Sequence, residues 1–126
     1  MTLFLLASAG GAIGAGARYL VGIAAAAWVG FAFPWGTLVV NVVGSFLMGI
    51  VVETIALRCG GSVELRTFLA TGILGGFTTF SAFSLEVVAL AERKQPGLAI
   101  AYVAASVLLS ILALIAGTAL TRSACS

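Results

Sequence analysis

The segment Gly75-Gly76-Phe77-Thr78-Thr79-Phe80-Ser81-Ala82-Phe83 sets paired glycines, a cluster of hydroxyls and spaced aromatic rings inside an otherwise apolar stretch. Glycine is a helix breaker, and broken backbone at membrane depth is tolerated only where protein or a water-filled path satisfies the freed N–H and C=O groups. The segment is therefore a candidate for binding or conduction. Phe80 and Phe83 share one helical face, with Thr79 and Glu86 close to the same side. Phenylalanines at this spacing are commonly lipid-facing or core. Their edges also carry partial positive charge, so rings turned edge-on beside Asn, Thr and Ser donors offer a small anion a weakly attractive lining. Glu86 would repel such an ion unless protonated or turned aside, and the sequence assigns it no role.

Polar tracks recur on the other helical stretches. Gly10, Gly14, Arg18 and Gly22 repeat every four residues, a spacing of small residues that lets helices approach closely. Arg18 either faces protein and water or snorkels to the headgroups. Thr37, Asn41, Gly44, Ser45 and Gly49 also share a face, on which Asn41 with Thr37 and Ser45 can line a path or serve as interhelical glue. Glu53 lies nearer the helix end and reads as an interfacial carboxylate. Tyr102, Ser106 and Ser110 form a third track, although each hydroxyl could instead bond back to its own helix.

The elements that must position these residues follow from composition. The chain has 126 residues, 62% hydrophobic and only 8% charged, which is membrane composition. It lacks His and Asp, so His-based triads, His-Cys zinc sites and EF-hand loops are excluded, and no enzyme's base, nucleophile and oxyanion set can be assembled. A net charge of +2, scattered along the chain, gives no footprint for nucleic acid. Cys59 and Cys125 are lone thiols without metal-ligand spacing.

Four apolar stretches, Leu3–Ala27, Pro34–Leu57, Leu65–Leu90 and Leu98–Leu120, each approach or exceed the about 20 residues that a bilayer core requires. The first has no basic leader region and precedes three more spans, so it reads as a transmembrane helix and not a signal peptide. Short connections make successive helices antiparallel neighbours. Pro34 suits the first turn of the second helix, and Trp28 and Trp35 suit a headgroup belt. The expected fold is all-α and integral to the membrane: one unit over residues 1–126, with four transmembrane helices, the third broken near the bilayer midplane.

Orientation is set by the Lys/Arg balance across the membrane. Arg58, Arg66 and Arg122 fall on one side, and Arg93 and Lys94 on the other. Arg18 lies within the first span nearer the second side, and counting it there makes the tally equal. A chain so balanced is expected to insert both ways up, and a protein of mixed orientation can pair with its own inverted copy.

The runs Gly10-Gly11-Ala12-Ile13-Gly14-Ala15-Gly16-Ala17-Arg18-Tyr19, Pro34-Trp35-Gly36-Thr37-Leu38-Val39-Val40-Asn41, Gly44 to Gly49, and Gly75-Gly76-Phe77-Thr78-Thr79-Phe80-Ser81 resemble those of the Fluc (CrcB) fluoride channels. The likeness extends over the whole chain in order, length and helix count. It implies an antiparallel, dual-topology homodimer in the cell (inner) membrane, multi-pass and surrounded by lipid, with two fluoride pores and a central structural sodium ion. By the same resemblance Asn41, Phe80 and Phe83 line the pore, and Tyr102, Ser106 and Ser110 form its fourth-helix side. Arg18, with Thr37, belongs to a vestibule, and Gly75 and Thr78 give backbone carbonyls to sodium. The family often has Thr after the Phe-Ser pair where this chain has Ala82, so one hydroxyl is missing from the third-helix track.

The implied activity is passive: hydrogen fluoride enters, dissociates in a near-neutral cytoplasm, and the channel lets fluoride leave down its gradient, which protects against its toxicity. Fluoride holds its water tightly, so a pore must substitute donors along the route without binding the ion too well to release it. Spaced hydroxyls, one amide and phenyl edges meet that demand. A small multidrug-type proton antiporter would need a carboxylate in its first span, where this chain has Arg18 and no acid. A non-transporting helical scaffold would explain the glycines but not the aligned polar tracks.

Dual topology predicts that Cys59, in the second loop, faces both sides of the membrane in a population of cells. In a Cys125→Ser background an impermeant thiol reagent should label Cys59 from either side, and one-sided labelling would exclude the mixed orientation.

Overall fold

The computed structural model describes residues 1–57 and 62–125, and of Cys125 only the backbone. Arg58 in the charge count and Cys59 in the labelling argument lie outside the described residues, as does the Cys125 side chain. Four helices among the described residues are long and apolar enough to cross a membrane.

Helix α1 (Thr2–Val29) ends where Gly30 adopts the left-handed φ of 80° and returns its N–H to the Ala26 carbonyl at 3.1 Å, a conformation that favours glycine. Helix α2 (Trp35–Leu57) starts one residue later than the proline argument expects. Pro34 stands just before it and accepts the Leu38 N–H at 3.3 Å, a position where its fixed φ helps and its missing N–H costs nothing.

The third span is composite. Ser62 caps α3 (Val63–Arg66) by accepting the Leu65 N–H at 3.0 Å. The chain then widens into a π-helix, Thr67–Leu74, followed by the short α4 (Gly75–Phe77). It opens at Thr78–Phe80 and resumes as α5 (Ser81–Glu92). A tight reversal with Lys94 at φ 60° and the Gln95 N–H bonded to the Leu90 carbonyl (3.1 Å) leads into α6 (Pro96–Cys125).

The opening differs from the expectation in its cause. By residue type Gly75 and Gly76 are the breakers, yet both are helical, Gly75 with φ −62° and ψ −37°. The first extended residue is Thr78, with ψ 158°. The glycines serve close packing instead. A Cβ on Gly76 would strike the Gly11 backbone, and one on Gly14 would strike the Ile73 carbonyl. This brings α1 against the π-helix and α4 almost backbone to backbone.

The other close seam joins α2 and α6, where a Cβ on Gly49 would meet the Leu114 carbonyl and one on Gly117 the Phe46 carbonyl. Glu53 and Arg122 close the far end of this seam with a 2.7 Å ion pair. Leu38, Phe83, Leu90, Ala99 and Tyr102 form a small core where α2, α5 and α6 meet, while most large aliphatic side chains point outward, as lipid allows.

Gly117→Ala should therefore destabilise the protein by about 1–3 kcal/mol in thermal unfolding of the detergent-solubilised form, because the added methyl meets backbone that cannot rotate away. Gly97→Ala in the first turn of the same helix, with nothing near its Cβ position, should be neutral or stabilising by up to about 1 kcal/mol.

Candidate functional site

The opening at Thr78–Phe80 displaces backbone groups that a continuous helix would pair, and side chains from two other helices take them up. Asn41 on α2 makes a two-point bond with Thr79: its Oδ1 accepts the Thr79 N–H at 2.7 Å and its Nδ2 donates to the Thr79 carbonyl at 2.9 Å. Arg18 on α1 donates through Nε to the Gly76 carbonyl at 3.2 Å. Thr79 Oγ1 accepts the Ala82 N–H at 3.2 Å and lies 3.3 Å from Ser81 Oγ, capping the start of α5.

These substitutions have a consequence for the carbonyls. The Thr79 N–H would ordinarily reach Gly75 and the Ala82 N–H would reach Thr78, four residues back in each case. Both are diverted, so the Gly75 and Thr78 carbonyls lose their helical donors.

A cavity of about 320 Å³ lies beside the opening, lined by Asn41, Ser45, Thr79, Phe80, Phe83, Ser106 and Ser110 among others. Phe80 and Phe83 are tilted by 51° with ring centroids 5.5 Å apart, and Phe83 meets Tyr102 at 5.2 Å. Phe83 is buried whereas Phe80 is 77% exposed, so one ring anchors in the core and the other stands at the protomer's open face. Ser110 Oγ is buried without a hydrogen-bond partner among the described residues, and Ser106 Oγ is buried with no well-formed hydrogen bond, its one polar neighbour being the Tyr102 hydroxyl.

Above this cavity the Tyr102 hydroxyl, flanked by Thr37 and Ser106, donates to Glu86 Oε1 at 3.3 Å. Glu86 lines a separate pocket of about 220 Å³ with Phe31, Phe33, Trp35, Thr37 and Arg93. A third groove, of about 490 Å³, is lined by Arg18, Tyr19, Thr37, Thr79 and Ala82, among others.

A model of the CrcB-like protein family, described also as camphor resistance, matches residues 5–118. A fluoride-specific ion channel FluC of Agrobacterium fabrum is 55% identical over 118 residues, covering 94% of each chain. Proteins of the same name from Rhizobium meliloti and a Chelativorans species are 55% identical over 123 residues and 58% identical over 119 residues, covering 98% of each chain and 94–95% of the chains respectively. The chain belongs to the CrcB family. It is an all-α, multi-pass membrane protein.

Within this CrcB-family fold, Asn41, Phe80, Phe83, Ser106 and Ser110 converge on one cavity. Tyr102 does not line it but packs against Phe83 and extends the serine track towards Glu86. Arg18 and Thr37 share the neighbouring groove, with Ala82 on its wall. Sequence reasoning passed over Thr79 as a site residue, although it holds both Asn41 bonds, and it left Glu86 without a partner. Thr79 stood in the motif itself. Nothing in the sequence pointed to the Tyr102–Glu86 pairing, which arises from the packing of α5 on α6.

The serine hydroxyls are distinctive because their neighbours found local partners. Thr78, Ser84, Thr118 and Thr121 each donate to the carbonyl four residues back, at 2.9–3.0 Å. Ser106 and Ser110 do not. Removing a buried hydroxyl that has no partner relieves a desolvation penalty. Ser110→Ala should therefore leave thermal stability unchanged or raise it by up to about 1 kcal/mol, whereas Asn41→Ala, which strands the Thr79 N–H and C=O, should lower it by about 1–3 kcal/mol.

Proposed function

We propose that this protein is a fluoride channel through which cytoplasmic fluoride leaves the cell passively. The observation that carries the reading is the pair of buried Ser106 and Ser110 hydroxyls, neither with a well-formed hydrogen bond, lining one cavity with Phe80 and Phe83. Inside a membrane an unmet hydroxyl costs free energy, and a dehydrated anion is the partner that would recover it. The relatives are named fluoride-specific ion channels, which supports fluoride as that anion.

The route runs along Ser110, Ser106 and Tyr102 on α6, faced by Phe80, Phe83 and Asn41. With its Oδ1 and one Nδ2 hydrogen engaged by Thr79, Asn41 has one amide hydrogen left, enough for one donor contact to a passing ion. Phe83 is buttressed by Tyr102, which fixes the ring whose edge the ion meets. Glu86 accepts from the Tyr102 hydroxyl at the end of this track, so its carboxylate lies outside the serine cavity and borders the route only where Tyr102 does. Arg18 and Thr37 line the vestibule groove, where a guanidinium raises the local anion concentration without trapping the ion in the narrow part.

An inverted copy of the chain completes the assembly. The protomer exposes Thr71, Gly75 and Ser81 at mid-span, and polar surface at that depth calls for protein on the other side. The balanced Lys/Arg count permits the inverted orientation that places a second opening opposite the first.

A sodium ion fits where the two openings meet. The Gly75 and Thr78 carbonyls lack their helical donors, and neutral oxygens of this kind suit a hard monovalent cation. Sodium bound there would neutralise the converging carbonyl dipoles and act structurally.

Anion efflux from liposomes containing the purified protein, followed with fluoride and chloride electrodes, tests the reading. Fluoride efflux is expected. Phe80→Ile and Phe83→Ile should each depress it by about tenfold or more while leaving the dimer intact, because water can stand in for a hydroxyl but not for a shaped aromatic wall. Asn41→Asp should also fail, since it puts a carboxylate in the path of an anion and deprives the Thr79 carbonyl of its donor. Well-folded dimers of both phenylalanine variants passing fluoride at the parental rate would overturn the route.

A further inference from the structure

We propose that Arg18 is a positioning residue for the sodium site, setting cation affinity through the Gly76 carbonyl and not through its charge. The inference rests on the sodium reading above. Helix α1 grips residue 76 by two contacts. The Gly11 backbone lies where a Gly76 Cβ would be, and two turns further along the same helix Arg18 Nε donates to the Gly76 carbonyl at 3.2 Å. Gly76 sits between the two residues whose carbonyls are freed, Gly75 and Thr78.

The hydrogen bond decides which carbonyls are available. With the helix opened, the Gly76 carbonyl also loses the donor it would have had in Phe80, since Phe80 lies outside the continuous helix. Arg18 supplies a charged replacement and so holds this carbonyl towards α1. Without Arg18 the Gly76 carbonyl would be a third unmet acceptor in an apolar region, free to turn its peptide plane and disturb the Gly75 carbonyl beside it. The bond thus keeps the opening in the one arrangement that presents Gly75 and Thr78.

Arginine suits this task because Nε is a fixed donor at the base of a planar fork, whereas a lysine amine sits at the end of a flexible stem. The charge acts in the opposite sense. A guanidinium near a cation site disfavours the cation by repulsion, so a coulombic role predicts tighter sodium binding when the charge is removed. A positioning role predicts weaker binding.

The experiment is thermal unfolding of the purified full-length protein in detergent, with sodium chloride exchanged for N-methylglucamine chloride at constant ionic strength. Sodium should raise the parental Tm with a saturable midpoint, as expected for a ligand of the native state. Arg18→Met should move that midpoint to about tenfold higher sodium or more, the effect of losing one charge-assisted hydrogen bond. Arg18→Lys, which keeps the charge but not the fork, should move it in the same direction by less and carries the test if the methionine variant does not fold. A lower midpoint in Arg18→Met with no change in Arg18→Lys would show a coulombic role and overturn the proposal. An equal drop in Tm with and without sodium, at an unchanged midpoint, would show a merely structural role and overturn it too. Absence of any sodium response in the parental protein would remove the cation reading itself, and this inference with it.

Discussion

Interrupting a helix in the middle of a membrane strands peptide groups where no water can reach them, and each stranded group costs several kcal/mol. The opening at Thr78–Phe80 exists because Asn41 answers both the N–H and the C=O of Thr79 from a neighbouring helix. One side-chain amide thus replaces two backbone partners, with geometry close to that of a peptide pair. Arg18 and the Thr79 hydroxyl take care of the flanking groups. The same diversion that satisfies Thr79 leaves Gly75 and Thr78 with carbonyls to offer. The serine-lined cavity and the freed carbonyls are therefore two faces of one rearrangement.

Close helix contacts make that rearrangement reachable. Arg18 can touch Gly76 only because Gly10 and Gly14 let α1 lie against the π-helix. Asn41 can reach Thr79 because Gly44, one turn further along α2, leaves room for the Thr78 methyl and the Phe77 ring. The glycines thus act at a distance from the chemistry, by setting helix separations that bring longer polar side chains within hydrogen-bonding range. The widened π turn places Gly72 and Gly76 against α1 together, Gly72 beside Gly10 and Gly76 beside Gly11.

Partnering separates the polar groups that hold the fold from those left without a bond. Hydroxyls at Thr78, Ser84, Thr118 and Thr121 are consumed by their own helices, and Glu86 is engaged by Tyr102. Ser106 and Ser110 remain unmet. Their unmet state is stable because the surrounding apolar contacts of Phe83, Tyr102 and Leu38 hold α6 in place. A weak anion path needs this combination: donors that are fixed in position but not already spent.

The amino-acid sequence by itself determined the solvent, the number of spans and the polar faces, because these follow from residue type and helical period alone. Asn41, the pair Phe80 and Phe83, and the pair Ser106 and Ser110 could each be placed on a helical face for the same reason, while their grouping into one lining was implied by the family resemblance. Tertiary structure decided which of these groups are already spoken for. Gly75-Gly76 looked like the breaker, yet the helix runs through both and opens at Thr78, since the partner that stabilises the opening lies 38 residues away on α2. The π-helix over Thr67–Leu74 had no local signal that set it apart from the α-helices either, and it packs closely against α1. Whether a serine bonds to its own helix or stays unmet, and whether an arginine snorkels or grips a carbonyl, depends on distances between helices. Those distances are set by the sum of many small contacts, and no single stretch of sequence encodes them.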